Sequence, residues 1–292
     1  MIVVNLMGGL GNQMFQYALG RKLSMLQQTM LFLDCTFLNT PNPLHIKREY
    51  ELDIFKIQAK TATVTELKEF ESIKNNPLIR KIYQWMPGFF SYHLVTEKGH
   101  AFDPAVLKAP INSWVNGFWQ TEKYFSDIAD VIRSDFEFKL PSTGLNKTLS
   151  EKIRSCESLG IHIRRGDYTN PDIMAYHGMC SENYYYDALE IIRKKATVQE
   201  LFIFSDDMEW VNKHLKFDLP TTTIIHNTGK NSFEDMRLMS LCKHNIVANS
   251  SFSWWGAWLN RNKNKVVIAP KVWIADKNTD TKDVVPENWI RL

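Results

Sequence analysis

Five short apolar runs punctuate the second half of the chain, at 160–163, 201–204, 223–225, 246–248 and 266–269. After the first gap they recur at roughly 20 residues, an interval that suits parallel strands joined by crossover helices. The intervening segments 182–195, 232–242 and 253–261 carry helical patterns, and Ser232 followed by Asp235 resembles a capping box. Together these features predict a doubly wound α/β domain.

The first half opens in a similar way. An apolar run at 2–6 enters a Gly-rich turn, and a helix is expected over 13–28, where Met14, Phe15, Ala18, Leu19 and Leu23 recur on one face. A short strand at 30–33 completes a βαβ unit. Between 36 and 110 the prolines at 41, 43, 77, 87 and 104 break the periodicity, so short helices and loops are expected. The basic and aromatic stretch 79–92 admits contact with a membrane, but a packed helix is the favoured reading. A polar stretch at 141–146 sets a boundary, and 292 residues at 44% hydrophobic content can fill two cores.

Several function classes drop out. A formal charge of +3 without a Lys/Arg run does not suit a nucleic-acid binder, though it is compatible with an anionic small substrate. Cys35, Cys156, Cys180 and Cys242 lie far apart, which indicates neither a zinc site nor a disulfide framework and fits a reducing cytosol. No basic segment precedes an apolar one at the N-terminus, and no window approaches about 18 apolar residues. The expectation is a cytoplasmic protein without signal peptide or spanning helix, whose catalytic machinery starts at residue 2 and whose sequons at Asn146 and Asn249 carry no glycan.

In open parallel sheets, ligands bind beyond the carboxyl ends of the strands. Three expected strands are followed there by Arg164-Arg165-Gly166-Asp167-Tyr168, by Ser205-Asp206-Asp207 and by Asn249-Ser250-Ser251-Phe252-Ser253. The planar guanidinium fork matches phosphate oxygens and keeps its charge, so Arg164 or Arg165 is expected to neutralise a diphosphate. Free N–H groups and hydroxyls at 249–253, where a helix starts, form an anion site, compatible with ordinary capping by Ser. Asp206 and Asp207 suit pairing with a guanine edge better than a metal, because no further carboxylate lies close by. His162 alone reads equally well as a core residue. The turn from Gly8 to Gln13 fits neither the dinucleotide fingerprint nor a P-loop, yet it lets backbone approach a ligand at a helix start. Arg165-Gly166-Asp167 spells an adhesion tripeptide, but its place after an apolar strand argues against that role.

The segments GGLGNQMFQYA (8–18), NGFWQTEKYF (116–125), HIRRGDY (162–168), FSDD (204–207) and NSSFSWWGAWLN (249–260) resemble the α-1,2-fucosyltransferases of glycosyltransferase family 11, in their short bacterial form. The resemblance spans nearly the whole chain and implies an α/β, GT-B-like fold: two Rossmann-like domains, 1–145 on the acceptor side and 146–292 holding GDP-fucose, facing across a cleft. It implies Arg164 at the β-phosphate with Arg165 in support, and Asp167 orienting the arginines. His162 and Asp206 or Asp207 would contact the guanosine. Asn249, Ser250, Ser251 and Phe252 would hold phosphate and base, while Gly9, Gly11 and Asn12 close over the donor. The implied reaction is metal-free and inverting, from GDP-fucose to a galactose-terminated glycan of a bacterial surface polysaccharide. Peripheral membrane contact at the inner face is the most that this reading allows. An α-1,3 linkage, or a silent GDP- or sugar-binding protein, is the alternative.

Overall fold

The computed structural model describes residues 1–40, 48–166 and 170–292. Pro41 and Pro43 lie outside the described residues, as do Asp167 and Tyr168 of the charged motif. The chain forms two compact units, Met1–Leu140 and Pro141–Leu292.

The first unit holds five parallel strands, β1 (Ile2–Asn5), β2 (Leu31–Asp34), β3 (Lys60–Thr61), β4 (His93–Thr96) and β5 (Ser113–Asn116), in the order β3-β2-β1-β5-β4. Its helices are α1 (Leu10–Leu26), α2 (Thr36–Asn39), α3 (Val64–Asn75), α4 (Pro77–Trp85) and α5 (Ala129–Asp135). Every residue of β1 is buried, as a central parallel strand covered on both faces requires. Helix α1 lies close against this sheet: a Cβ on Gly20 would come within 2.4 Å of Val4 Cγ2. Tyr17 Oη donates to Asp135 Oδ2 at 2.7 Å and Arg21 Nε donates to the same oxygen at 2.9 Å, which ties α1 to α5.

Expectations for this unit need three corrections. Helix α1 begins at Leu10, so Gly11 and Asn12 belong to its first turn and not to the preceding loop. The stretch expected as short helices and loops contributes β3 and β4, and the two strands that flank β1 are β2 and β5. Helix α4 packs less than expected, since none of its residues is fully buried.

The second unit contains β6 (Ser158–Ile163), β7 (Glu200–Ser205), β8 (Thr221–Ile224), β9 (His244–Ile246), β10 (Val267–Ala269) and β11 (Ile290–Arg291), all parallel, in the order β11-β10-β9-β6-β7-β8. Numbered within the unit from the β8 edge, this is 3-2-1-4-5-6, the dinucleotide-fold order. Its helices are α6 (Gly144–Ser155), α7 (Pro171–His177), α8 (Glu182–Arg193), α9 (Met208–His214), α10 (Phe233–Leu241) and α11 (Ser251–Leu259).

Alternation along the strands feeds two cores. Leu159, Ile161, Ile163, Leu201 and Ile203 pack with Tyr184, Leu189 and Ile192 of α8. Phe202 and Phe204 pack on the other face with Ile153 of α6 and with Leu238 and Met239 of α10. Because both faces are covered, the strands read as continuous apolar runs. The expected capping box is absent in that form. Ser232 caps α10 without a side-chain bond, and Asp235 is drawn inward to accept from Asn227 Nδ2 at 2.8 Å.

Candidate active site

Strands β6 and β9 are neighbours at the point where the winding of the second sheet reverses, the crevice in which open α/β sheets receive ligands. Arg164 and Arg165 leave the carboxyl end of β6, and α11 starts beyond the end of β9. The parallel register sets Ile163 opposite Ser205, so the next residues, Arg164 and Asp206, become cross-strand partners. Asp206 Oδ2 meets Arg164 Nη1 at 2.7 Å, and Oδ1 accepts from the Arg165 backbone N–H at 2.8 Å. A Cβ on Gly166 would lie 2.5 Å from Asp206 Oδ2, so the carboxylate approaches only because that position is glycine.

Arg165 is locked from two sides. Asp207 Oδ2 lies 3.4 Å from its Nε, and its guanidinium sits 4.0 Å above the Trp210 ring, a cation–π contact. Asp207 also caps α9 by accepting from the Trp210 N–H at 3.0 Å. Trp210 stacks in turn on His214, whose Nδ1 lies 2.8 Å from Glu182 Oε1. Both acids are therefore engaged with the arginines, where the sequence suggested that one of them faces the nucleoside. Among the described residues no group of three His, Cys, Asp or Glu is placed to hold a metal ion.

His162, the penultimate residue of β6, is buried beside this cluster with its ring 5.8 Å from that of Phe252. Burial pushes its pKa down to about 4, opposed by Asp206 and reinforced by Arg164, so the ring is neutral at pH 7. Its Nδ1 has no hydrogen-bond partner among the described residues, an unmet demand that a ligand or a water can fill.

Ser250 occupies the N-cap position of α11 without a side-chain cap bond, and the first turn of that helix carries no acid. Its N–H groups and dipole thus face the crevice end uncompensated by carboxylate. Asn249 is buried directly before this helix start. Its Nδ2 donates to the carbonyls of His177 at 2.9 Å, Gly178 at 3.2 Å and Trp273 at 3.3 Å, which ties the loops around β9 together. The tryptophans of the same motif are core: Trp254 and Trp255 are fully buried, and Trp254 Nε1 donates to the Val284 carbonyl at 2.8 Å.

In the first unit the winding reverses between β1 and β5, and two of the sequence motifs meet there. Asn5 Nδ2 donates to Asn116 Oδ1 at 2.8 Å, and Gln120 Nε2 donates to Asn12 Oδ1 at 2.8 Å. Gln13 and Gln16, both fully buried, brace the glycine turn through the carbonyls of Gly8 at 2.9 Å and Met7 at 3.2 Å. Glu97 accepts from the backbone N–H groups of Phe118 at 2.7 Å and Trp119 at 2.8 Å, which fixes the loop after β5. Gly9 at the N-cap and Gly11 and Asn12 in the first turn of α1 thus belong to a braced helix start of this unit.

Sequence reasoning passed over one residue beside Arg165 and gave another, in helix α10, a different role. Trp210 could have been found only from its place three residues after Asp207, once Asp207 is known to cap α9. Asp235 looked like a capping acid, yet burial pushes its pKa up to about 7 against the Asn227 hydrogen bond.

The profile described as Glycosyl transferase family 11 matches residues 1–292. The chain belongs to that family. Among curated relatives of this family 11 glycosyltransferase, the alpha-1,2-colitosyltransferase of Escherichia coli is 34% identical over 304 residues, covering 100% of this chain and 98% of that protein. The O-antigen biosynthesis glycosyltransferase WbnK of Escherichia coli is also 34% identical, over 98% of this chain and 99% of its own length. A mouse protein, galactoside 2-alpha-L-fucosyltransferase Sec1, is 22% identical over 89% of this chain. In structure, the Bradyrhizobium fucosyltransferase NodZ shares the fold, with a TM-score of 0.53 at 12% identity over 87% of this chain and 90% of that one. The fold class of this family 11 member is accordingly α/β and GT-B-like, with two parallel Rossmann-like sheets.

Proposed function

We propose that this glycosyltransferase moves L-fucose from GDP-β-L-fucose to the 2-hydroxyl of a terminal β-galactoside, with inversion, in the synthesis of a bacterial surface polysaccharide. One observation carries the reading: two guanidiniums oriented by carboxylates stand at the switch point of a dinucleotide-type sheet, together with a helix N-terminus that carries no acid. Departure of GDP builds negative charge on the β-phosphate. Groups held in place beforehand stabilise that charge more than they stabilise the bound donor, which is the condition for a rate gain.

Arg164 is assigned to the β-phosphate. Arg165, held between Asp207 and Trp210, supports it, and Asp167 next to them is assigned to orienting the pair. The N–H groups and hydroxyls of Ser250 and Ser251 complete the anion site, while His162 and Phe252 line the nucleoside. Asp206 or Asp207, held beside the arginines, is assigned to the guanosine edge. Gly9, Gly11 and Asn12, on the first unit, are assigned to closing over the donor, and residues 1–140 to meeting the acceptor. Because the arginines supply the positive charge and engage the adjacent acids, the reaction is taken to need no metal. An oxocarbenium-like transition state makes little demand on a base. The use of a nucleotide-sugar donor favours the cytoplasm.

A donor and acceptor screen tests this reading. GDP-fucose is offered with a panel of β-galactosides, with and without EDTA, and the product linkage is read by NMR. Transfer to the galactose 2-hydroxyl that EDTA leaves unchanged is the expected result. Binding of GDP without transfer would leave a silent binding protein, and fucose on the 3-hydroxyl would revise the linkage. A second donor is favoured by the full-length relative named as a colitosyltransferase, since colitose is fucose without its 3-hydroxyl. Its GDP derivative belongs in the same screen, and a higher kcat/KM with it would reassign the donor.

A further inference from the structure

Helix α4 starts and stops firmly. Asn76 accepts from the N–H groups of Leu78 at 3.0 Å and Ile79 at 3.2 Å, Pro77 occupies the first turn, and Pro87 follows the end. One face is anchored to the first unit: Tyr83 Oη accepts from the Leu94 N–H at 2.8 Å, and its ring meets Phe90 edge-on at 5.2 Å. The opposite face is bare. Leu78 is 75% exposed, Trp85 80% and Phe89 84%, with Ile82 and Met86 about half exposed between them. Leu78, Ile82 and Trp85 follow the i, i+4, i+7 spacing of a single helical face, and Met86 and Phe89 extend the apolar surface past the helix end. Five of the seventeen exposed large hydrophobic residues among the described residues therefore fall within one short segment.

Charge distinguishes the possible occupants. Lys81 borders the bare face, Arg80 is exposed on the same helix, and no acid occurs from Asn75 through Thr96. On the packed helix α3, Glu66 closes a capping box with Thr63 and Glu71 pairs with Lys74, while Glu97, directly after the segment, accepts from the Phe118 and Trp119 N–H groups. A stable interface between copies buries about 800 Å² and some 20–30 residues a side, far beyond three residues on a helix about 14 Å long and two in the turn after it. A bilayer surface needs no such extent, since apolar side chains enter the acyl boundary while cations meet anionic headgroups.

We propose that α4 and the turn after it adsorb to an anionic lipid surface, holding the enzyme against the membrane that would carry a lipid-linked acceptor. The adsorption itself does not depend on which sugar is transferred. The test is co-sedimentation of the full chain with vesicles of phosphatidylcholine and phosphatidylglycerol in equal amounts, against vesicles of phosphatidylcholine alone. Wild type is expected to pellet with the mixed vesicles. The double variant Trp85→Ser/Phe89→Ser should bind them at least about tenfold more weakly. Arg80→Glu/Lys81→Glu should lose the preference for anionic lipid, and both variants, altered only at exposed side chains, should keep the wild-type thermal midpoint. Absence of wild-type protein from the pellet would overturn the proposal, as would equal binding by wild type and both variants. A dimer seen by light scattering and dissociated by Trp85→Ser/Phe89→Ser would also overturn it, assigning the face to a second copy.

Discussion

Asp206 grips Arg164 and the Arg165 backbone with the two oxygens of one carboxylate, at 2.7 and 2.8 Å. The charge that defines the crevice is thus held in position by its opposite. Arg164→Ala is expected to lower turnover by roughly 10² or more, the scale of one lost charge-stabilising donor. Asp206→Asn should lose less, because the guanidinium stays but its aim is relaxed, and the double variant should fall short of the product of the two effects. Single-turnover kinetics on the four proteins check this. Arg164→Ala turnover within threefold of wild type would remove Arg164 from the β-phosphate.

Gly166 allows that carboxylate to approach. In Gly166→Ala the new methyl would lie 2.5 Å from Asp206 Oδ2, so the acid must swing off the arginines. Turnover should drop by about tenfold or more while the thermal midpoint shifts little, since the site is at a strand end and outside both cores. Activity at the wild-type level would mean that Asp206 does not set the arginine geometry.

Acid titration should expose two opposed groups. The pKa of His162 falls from 6.5 to about 4 on folding, so the unfolded chain takes its proton first and stability declines as pH drops through that window. The pKa of Asp235 rises from 3.8 to about 7, so the folded chain takes that proton first and stability grows over nearly the same window. Each contribution is at most on the order of 3–4 kcal/mol. His162→Gln should therefore gain stability relative to wild type on acidification, and Asp235→Asn should lose it. Urea midpoints measured at about pH 5 and 7.5 decide the signs.

Trp254→Ala tests whether the tryptophan motif is core. The side chain is fully buried and hydrogen-bonded to Val284, so its truncation should cost about 3–5 kcal/mol. A stable variant that has lost GDP binding would instead place Trp254 in the site.

Much of the second unit was legible because its strands are covered on both faces and so appear as unbroken apolar runs, with the arginines directly after one of them. The partnership of Arg164 with Asp206 was not, since it arises from the register of β6 beside β7, a relationship absent from either segment alone. Strand β5 was missed for a related reason: Ser113–Asn116 has neither length nor alternation, and pairing with β1 and β4 makes it a strand. The basic and aromatic mix of 79–92 suggested a packed helix but could not say which face is covered, and large apolar side chains proved to be on the open one.

The lashing of Asn249 to three carbonyls bears on how this protein can be produced. Its amide nitrogen is the atom that an oligosaccharide would occupy, and in the folded chain that atom is buried and fully committed. A eukaryotic secretory host would attach sugar there only before folding, and every chain so modified would lose the brace around β9. Yield from such a host would fall with the efficiency of modification, and Asn249→Gln would not restore it, because the longer side chain cannot span the same three acceptors.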